Sequence, residues 1–469
     1  MKDSITEYFT NEQDYPDFDL KGAVDRFCQA IRCKTINYKD HSLTDYSEFD
    51  KLHQLIKDSY PHIMAAGTFE VIGHHSILIT IPGTDSSLKP ALFMSHQDVV
   101  PVVEGTEDDW EHPAFSGDIA DGFIWGRGSE DVKCQVFGTM EAVEYLLARG
   151  KTFQRTTYLS FGDDEETISL GAQALAATLK ERGVHLEFLL DEGGGGIVSA
   201  ERYGAPDHVL TEINLMEKGF ADVRVLAESE GGHSAFPFEG SSLGRVCQAV
   251  ARIVEHPFPA HLGSAAMGTF KAIAPYVSQE PLKTLVQDVE GNAQAIADYC
   301  LTKKELFPYV TTTIAPTMIK GGSAASNVMP HNVEAIVNMR VAQDMTTEQV
   351  LTHVKQAVGD DIDVSLSLAT DRNPSKAGPC DGYGFKKLEQ TLNRYLGEVI
   401  VLPSMAVGGT DAHHYEAICD NCLRYTPFMG EPEDVTKGVH GTNEKIPVRA
   451  FEQGLRIMTH LIENTVVNP

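Results

Sequence analysis

The sequence predicts an α/β protein built on a mostly parallel sheet, with a smaller α+β domain inserted into it. Three observations predict this. Short apolar runs at Ala91–Met94, Thr156–Phe161 and Leu186–Leu190 each have the length of a buried strand and each run straight into polar residues. Between the first two, Val132, Val136, Met140, Val143 and Leu147 recur on one helical face, with Gly150 placed to end the helix. From about Met216 the pattern changes to alternation, with Val223, Val225 and Ala227 against Asp222, Arg224 and Leu226.

The first run is followed by Ser95-His96-Gln97-Asp98, the second by Gly162-Asp163-Asp164-Glu165-Glu166 and the third by Asp191-Glu192-Gly193-Gly194. Parallel sheets collect ligands beyond the carboxyl ends of their strands, and these acids and the histidine fall there. The alternating section contains a second strand, Val333 to Val341, and helical stretches near Leu243–Val254 and Thr347–Val358. The region 260–308 reads as mainly helical. The expected division is 1–215 for the first segment of the large domain, 216–370 for the insert, ending near Ala369, and 371–469 for the second segment.

The chain has 469 residues, 38 Lys and Arg against 67 Asp and Glu, a formal net charge of −29 and 42% hydrophobic residues. That apolar fraction excludes wholesale disorder, and a surface this acidic is repelled by phosphate backbones and anionic lipid, so no nucleic-acid or membrane partner is expected. Met1–Pro16 carries four acids and no apolar core behind a basic start, so a cytoplasmic location is expected. The eight cysteines are scattered, which suits reduced thiols. The lone Cys419-x-x-Cys422 has no second pair or spaced histidines to complete a structural zinc site.

Chemistry concentrates in His96, Asp98, Asp131, Glu165, Glu166, Asp191 and His414. Imidazole and carboxylate suit a hard or borderline divalent cation, and a two-metal site needs one carboxylate that bridges. Asp131 is the candidate bridge, with His96 and Asp191 completing one ion and Glu166 and His414 the other. Asp98 is two residues from His96 and able to accept its second N–H. Glu165 is the acid left over and the candidate general base. His413 beside His414 leaves the last ligand ambiguous on chemistry alone.

Gly240-Ser241-Ser242-Leu243-Gly244 fits a nucleophile elbow, but Phe236-Pro237-Phe238-Glu239 is no buried strand, so a helix N-cap is the better reading. Gly193–Gly196 lacks the Lys-Ser/Thr of a phosphate loop and reads as close backbone packing.

The chain resembles the di-zinc aminoacylase/carboxypeptidase family of metallopeptidases, in the branch of vacuolar carboxypeptidase S, Gly-Xaa carboxypeptidase and the N-fatty-acyl-amino-acid hydrolase/synthase. The resemblance rests on Ser95-His96-Gln97-Asp98-Val99-Val100-Pro101, Trp125-Gly126-Arg127-Gly128-Ser129-Glu130-Asp131-Val132-Lys133, Gly162-Asp163-Asp164-Glu165-Glu166 and Leu190-Asp191-Glu192-Gly193-Gly194. It continues in Gly408-Gly409-Thr410-Asp411-Ala412-His413-His414-Tyr415 and His440-Gly441-Thr442-Asn443-Glu444-Lys445. It implies two zinc ions, with Mn²⁺ or Co²⁺ as alternatives, held by His96, Asp131, Glu166, Asp191 and His414, with Glu165 as base. The branch usually has arginine where His413 stands, and alignment on Gly409-Thr410-Asp411 and Tyr415 selects His414 as the ligand.

The resemblance also makes the insert a lid, a dimerisation domain in this family. His233, in Gly232-His233-Ser234, is then the oxyanion-stabilising histidine, often supplied by the partner subunit, and Asn327 and Arg340 are the residues that grip the substrate. An arginine fork suits a terminal carboxylate. The implied activity is hydrolysis of an amide whose amine side ends in a free carboxylate, of the Gly-Xaa carboxypeptidase or dipeptidase type. N-acyl amino acid hydrolysis is the alternative, and a ligand-binding relative that has lost hydrolysis is a further one.

Overall fold

The structure is a computed structural model that describes residues 2, 4–360, 362–366 and 371–469. The chain divides into two compact units: Met1–Leu215 with Gly378–Ser404 and Thr410–Pro469, and Met216–Ala377 with Met405–Gly409. The expected C-terminal end of the insert near Ala369 lies outside the described residues.

The first unit is organised by a nine-stranded mixed sheet. Its path runs Thr68–Ile72, Ser76–Ile81, Thr157–Gly162, Ala91–His96, Phe188–Asp191, Cys422–Arg424, Val209–Glu217 and Val399–Ala406, with Gly195–Ser199 paired to Val209–Glu217. The centre is parallel: Ala91–His96 pairs with Thr157–Gly162 on one side and Phe188–Asp191 on the other, and Cys422–Arg424 pairs with Phe188–Asp191. These central strands are buried along their whole length, which is why they read as apolar runs rather than alternations. Register places His96 opposite Gly162, so the polar residues after both strands emerge side by side. The edge strands Thr68–Ile72 and Ser76–Ile81 are antiparallel.

The helix Lys133–Ala148 follows the candidate bridging acid and packs against Ala91–His96 and the helices Leu20–Arg32 and Val448–Ile462. The sequence shows one apolar face, whereas the helix is buried nearly all round, because helices cover it on the side away from the sheet. Gly138 permits that closeness: a Cβ there would lie 1.9 Å from Phe428 Cζ.

The second unit has a four-stranded antiparallel sheet in the order Thr313–Gly321, Asn332–Val341, Gly219–Glu228, Asp363–Leu366. The alternation predicted for its two central strands is what they display, with Val223, Val225, Val333, Val337 and Met339 inward. The helices Ser242–Glu255 and Thr347–Val358 cover that inward face. Ser241 caps the first of these by accepting the Gly244 N–H at 3.3 Å, as a cap and not as a nucleophile. The region 260–308 supplies the helices Ser264–Ile273, Leu282–Leu285 and Ala293–Leu301.

Candidate metal centre

His96 ends the central strand with its ring 1% exposed. Its Nδ1 lies 3.0 Å from the Asp98 carbonyl and 3.3 Å from Asp98 Oδ1, which fixes the ring and turns Nε2 outward. Nε2 is 3.1 Å from Asp131 Oδ1 and 3.2 Å from Glu192 Oε1. The other oxygen of the same aspartate, Oδ2, is 3.1 Å from His440 Nε2, and that nitrogen is 2.9 Å from Glu166 Oε2. Asp131 is thus shared between two groups, His96–Asp131–Glu192 and Asp131–Glu166–His440, in each of which the ligand atoms lie within 4.8 Å of one another.

The acidic run after Thr157–Gly162 divides its labour. Asp163 accepts from Ser76 Oγ at 2.5 Å and the His75 N–H at 3.0 Å. Asp164 accepts the N–H groups of Leu170 and Gly171 at 2.8 and 2.7 Å, at the start of the helix Leu170–Glu181. Glu165 and Glu166 turn their backbone N–H groups to Asp98 Oδ1 and Oδ2, each at 3.2 Å. Asp98 therefore touches the His96 ring and the segment carrying both glutamates.

Two expected ligands stand outside these candidate groups. Neither group includes Asp191 or His414, whereas Glu192 and His440 belong to one each. Asp191 ends its strand with Oδ1 accepting the Glu192 N–H and Oδ2 the Ala412 N–H, both at 2.8 Å, so its carboxylate ties the turn Asp411–Tyr415 to the sheet. His414 belongs to that turn, its ring 3.7 Å from that of His413, while His413 Nδ1 meets the Thr410 carbonyl at 2.6 Å. Both residues have a plain place in the sequence, Glu192 beside Asp191 and His440 at the head of the motif ending in Glu444-Lys445. Counting along the chain cannot tell which of two adjacent acids turns inward.

The electrostatics follow from crowding acids in a shielded place. Burial pushes Glu192 up to about 7 and raises Glu166, and burial beside Glu192, Asp411 and Glu166 lifts Glu165 far above the usual carboxyl range. Burial opposes ionisation of Asp131 too, but hydrogen bonds from His440 and His96 hold it well below that range. Hydrogen bonds to Asp131 and Glu166 push His440 up to about 10. The cluster is rich in oxygen and imidazole donors, contains no sulfur, and is short of positive charge. That donor set fits a hard or borderline divalent cation.

Gly193–Gly196 all adopt positive φ, and a Cβ on Gly194 or Gly195 would lie 2.6 Å from the Glu212 carbonyl or 2.4 Å from that of Thr426, so close backbone packing accounts for those two, while a Cβ on Gly196 would meet open space. Cys419 and Cys422 are free, buried and in neither ligand group.

In the second unit His233 is exposed on a two-stranded ribbon, its Nδ1 accepting the Ala235 N–H at 3.0 Å. The Asn327 carbonyl accepts the Ser234 N–H at 2.9 Å, so these two candidates are neighbours. Arg340 lies on Asn332–Val341 opposite Phe220, its guanidinium 4.9 Å from that ring. Arg372 is close enough to depress the Arg340 pKa, after burial, and is itself paired with Glu217.

A profile described as Peptidase family M20/M25/M40 matches residues 92–464. A human N-fatty-acyl-amino acid synthase/hydrolase is 32% identical over 454 residues, covering 95% of this chain and 86% of that protein. A probable carboxypeptidase S-like protein of Dictyostelium discoideum is 30% identical over 451 residues, covering 94% and 84%. Among solved structures, a metallo-carboxypeptidase from Sulfolobus solfataricus aligns with a TM-score of 0.66 at 16% identity, covering 94% of this chain and 98% of that one. Human carnosine dipeptidase 1 aligns with a TM-score of 0.65 at 14% identity, covering 98% of each. At these identities the structures speak for the fold.

Proposed function

Because this chain belongs to peptidase family M20/M25/M40 and is a metal-dependent amide hydrolase, we propose that it cleaves an amide whose amine side carries a free carboxylate, as a Gly-Xaa-type carboxypeptidase or dipeptidase. The observation that carries this reading is the sharing of Asp131 between His96–Glu192 and Glu166–His440, with Glu165 adjacent in sequence to a ligand. These five residues are the metal set we favour, in place of one that uses Asp191 and His414. Two Zn²⁺ suit it, with Mn²⁺ or Co²⁺ as alternatives. N-acyl amino acid hydrolysis is the second reading, favoured by the 32% identity to the human N-fatty-acyl-amino acid enzyme.

Divalent ions, which these residues would hold, would supply Lewis-acid polarisation of the carbonyl and lower the pKa of water. Glu165 takes the proton of the attacking water and returns it to the departing amine. Asp98 keeps the His96 ring in the tautomer that presents Nε2 and steadies the Glu165–Glu166 backbone. His233 is our candidate for stabilising the oxyanion, and Arg340 and Asn327 for holding the substrate carboxylate. The insert is our candidate lid and homodimer contact. Among the described residues no helix is long and apolar enough to cross a membrane.

The test is a panel of dipeptides, acetyl-amino acids and long-acyl-amino acids assayed after chelation, with and without added Zn²⁺ or Mn²⁺. Metal-restored turnover of Gly-Xaa dipeptides is expected. Restored turnover confined to acyl substrates selects the second reading, and no turnover on any of them sinks both.

A further inference from the structure

Arg127 and Glu444 are 2% and 0% exposed in their side chains and belong to neither ligand group. Glu444 Oε1 accepts three backbone N–H groups from the loop that ends in the shared aspartate: Gly128 at 3.0 Å, Glu130 at 2.9 Å and Asp131 at 3.1 Å. Glu444 Oε2 takes Arg127 Nη1 at 2.5 Å. The same guanidinium reaches past the carboxylate to the loop bearing His440, donating from Nη2 to the Gly441 carbonyl at 2.7 Å and from Nη1 to that of Gly438 at 3.4 Å. Gly438 and Gly441 bracket His440. His440 itself has φ 58° and Asn443 φ 62°, left-handed conformations that a non-glycine residue holds only when its surroundings dictate them.

One buried ion pair thus joins the loop of the shared carboxylate to the loop of the exposed histidine. Stability alone does not explain it, since buried pairs are often replaced by apolar residues at no cost. We propose that Arg127 and Glu444 are positioning residues that set the distance from His440 to Asp131 and Glu166, and so decide whether the second cation binds. The inference rests on the ligand reading above. Asp131, which Glu444 holds, belongs to both halves, but the His96 ring is anchored separately in the sheet and by Asp98, so the second ion depends on the pair more than the first.

The experiment strips the full-length enzyme of metal, titrates it with Zn²⁺ against a competing chelator, and records Co²⁺ absorption spectra of the same variants. Arg127→Lys keeps the charge but cannot span Glu444, Gly441 and Gly438 together, and Glu444→Gln keeps the shape without the charge. Each is expected to retain one tight ion and to weaken the second by about tenfold or more. His440→Ala is expected to lose that same second ion, with the same residual Co²⁺ spectrum. If Glu444→Gln does not fold, Arg127→Lys decides alone. Two ions at wild-type affinity in Arg127→Lys, or equal weakening of both, overturn the inference. If His440→Ala itself keeps two tight ions, the ligand reading fails instead.

Discussion

His96 and His440 flank Asp131 at almost equal distances, yet one ring is 1% exposed at the end of a buried strand and the other 55% exposed on a loop. The His96 half takes its geometry from the parallel sheet: register fixes the strand end, and Asp98 fixes the ring. The His440 half has no strand beneath it and draws its geometry from a buried ion pair and a left-handed backbone. A site can therefore have one half that the fold makes rigid and another held by a few replaceable contacts. The expected consequence is unequal affinity, with the His96 half filling first.

Four experiments can break or sharpen this contrast. The largest effect is expected from Glu165→Ala, which should cut kcat by about a thousandfold or more while both halves stay loaded. Steady-state kinetics with metal analysis checks it, and substantial residual turnover removes Glu165 as the base. Asp131→Asn should weaken both ions, because the carboxylate is common to the two halves; loss of only one ion in a chelator competition would show that it is not shared.

A third test addresses the rigidity of the His96 half. His53 is 4% exposed, and its Nε2 lies 2.9 Å from the Oε1 of Gln97, the residue after His96. Burial lowers its pKa to about 4, below the ordinary 6.5. The unfolded chain then binds the extra proton between these values, so its contribution is complete above pH 6.5 and falls as pH drops toward 4. The loss is about 3 kcal/mol from a shift of roughly this size. Denaturant unfolding in chelator across that range should show it, and His53→Gln should flatten it; an unchanged pH slope in the variant would exclude His53 as the source. The smallest effect is Asp98→Asn, expected to weaken metal binding about 10- to 100-fold by loosening the His96 ring. Calorimetric titration measures it, and unaltered affinity would mean that the Asp98 carbonyl suffices to hold the ring.

Much of the candidate site is legible in the sequence because the central parallel strands are short, apolar and followed at once by candidate functional residues. His96 and Asp98, and Glu165 and Glu166, lie at such boundaries, whereas Asp131 stands just before the helix Lys133–Ala148. The sequence leaves the choice open where two chemically similar residues stand side by side, Asp191 with Glu192, and where a histidine pair, His413 and His414, competes with a lone His440 further on. In both cases the residue type is shared or alike, and only the direction of the side chain separates the candidates.

Residue order and hydrophobic period determined the two kinds of sheet, the strand ends that gather acids, and the inventory of imidazoles and carboxylates near them, since burial and periodicity act locally along the chain. Only the tertiary structure decided which inventory members meet. Asp191 is taken by the Ala412 N–H at 2.8 Å, and His440 is delivered to Glu166 by a turn that Arg127 grips from 311 and 314 residues away. Such pairings depend on where backbone donors fall after the chain has closed, and no local pattern encodes them.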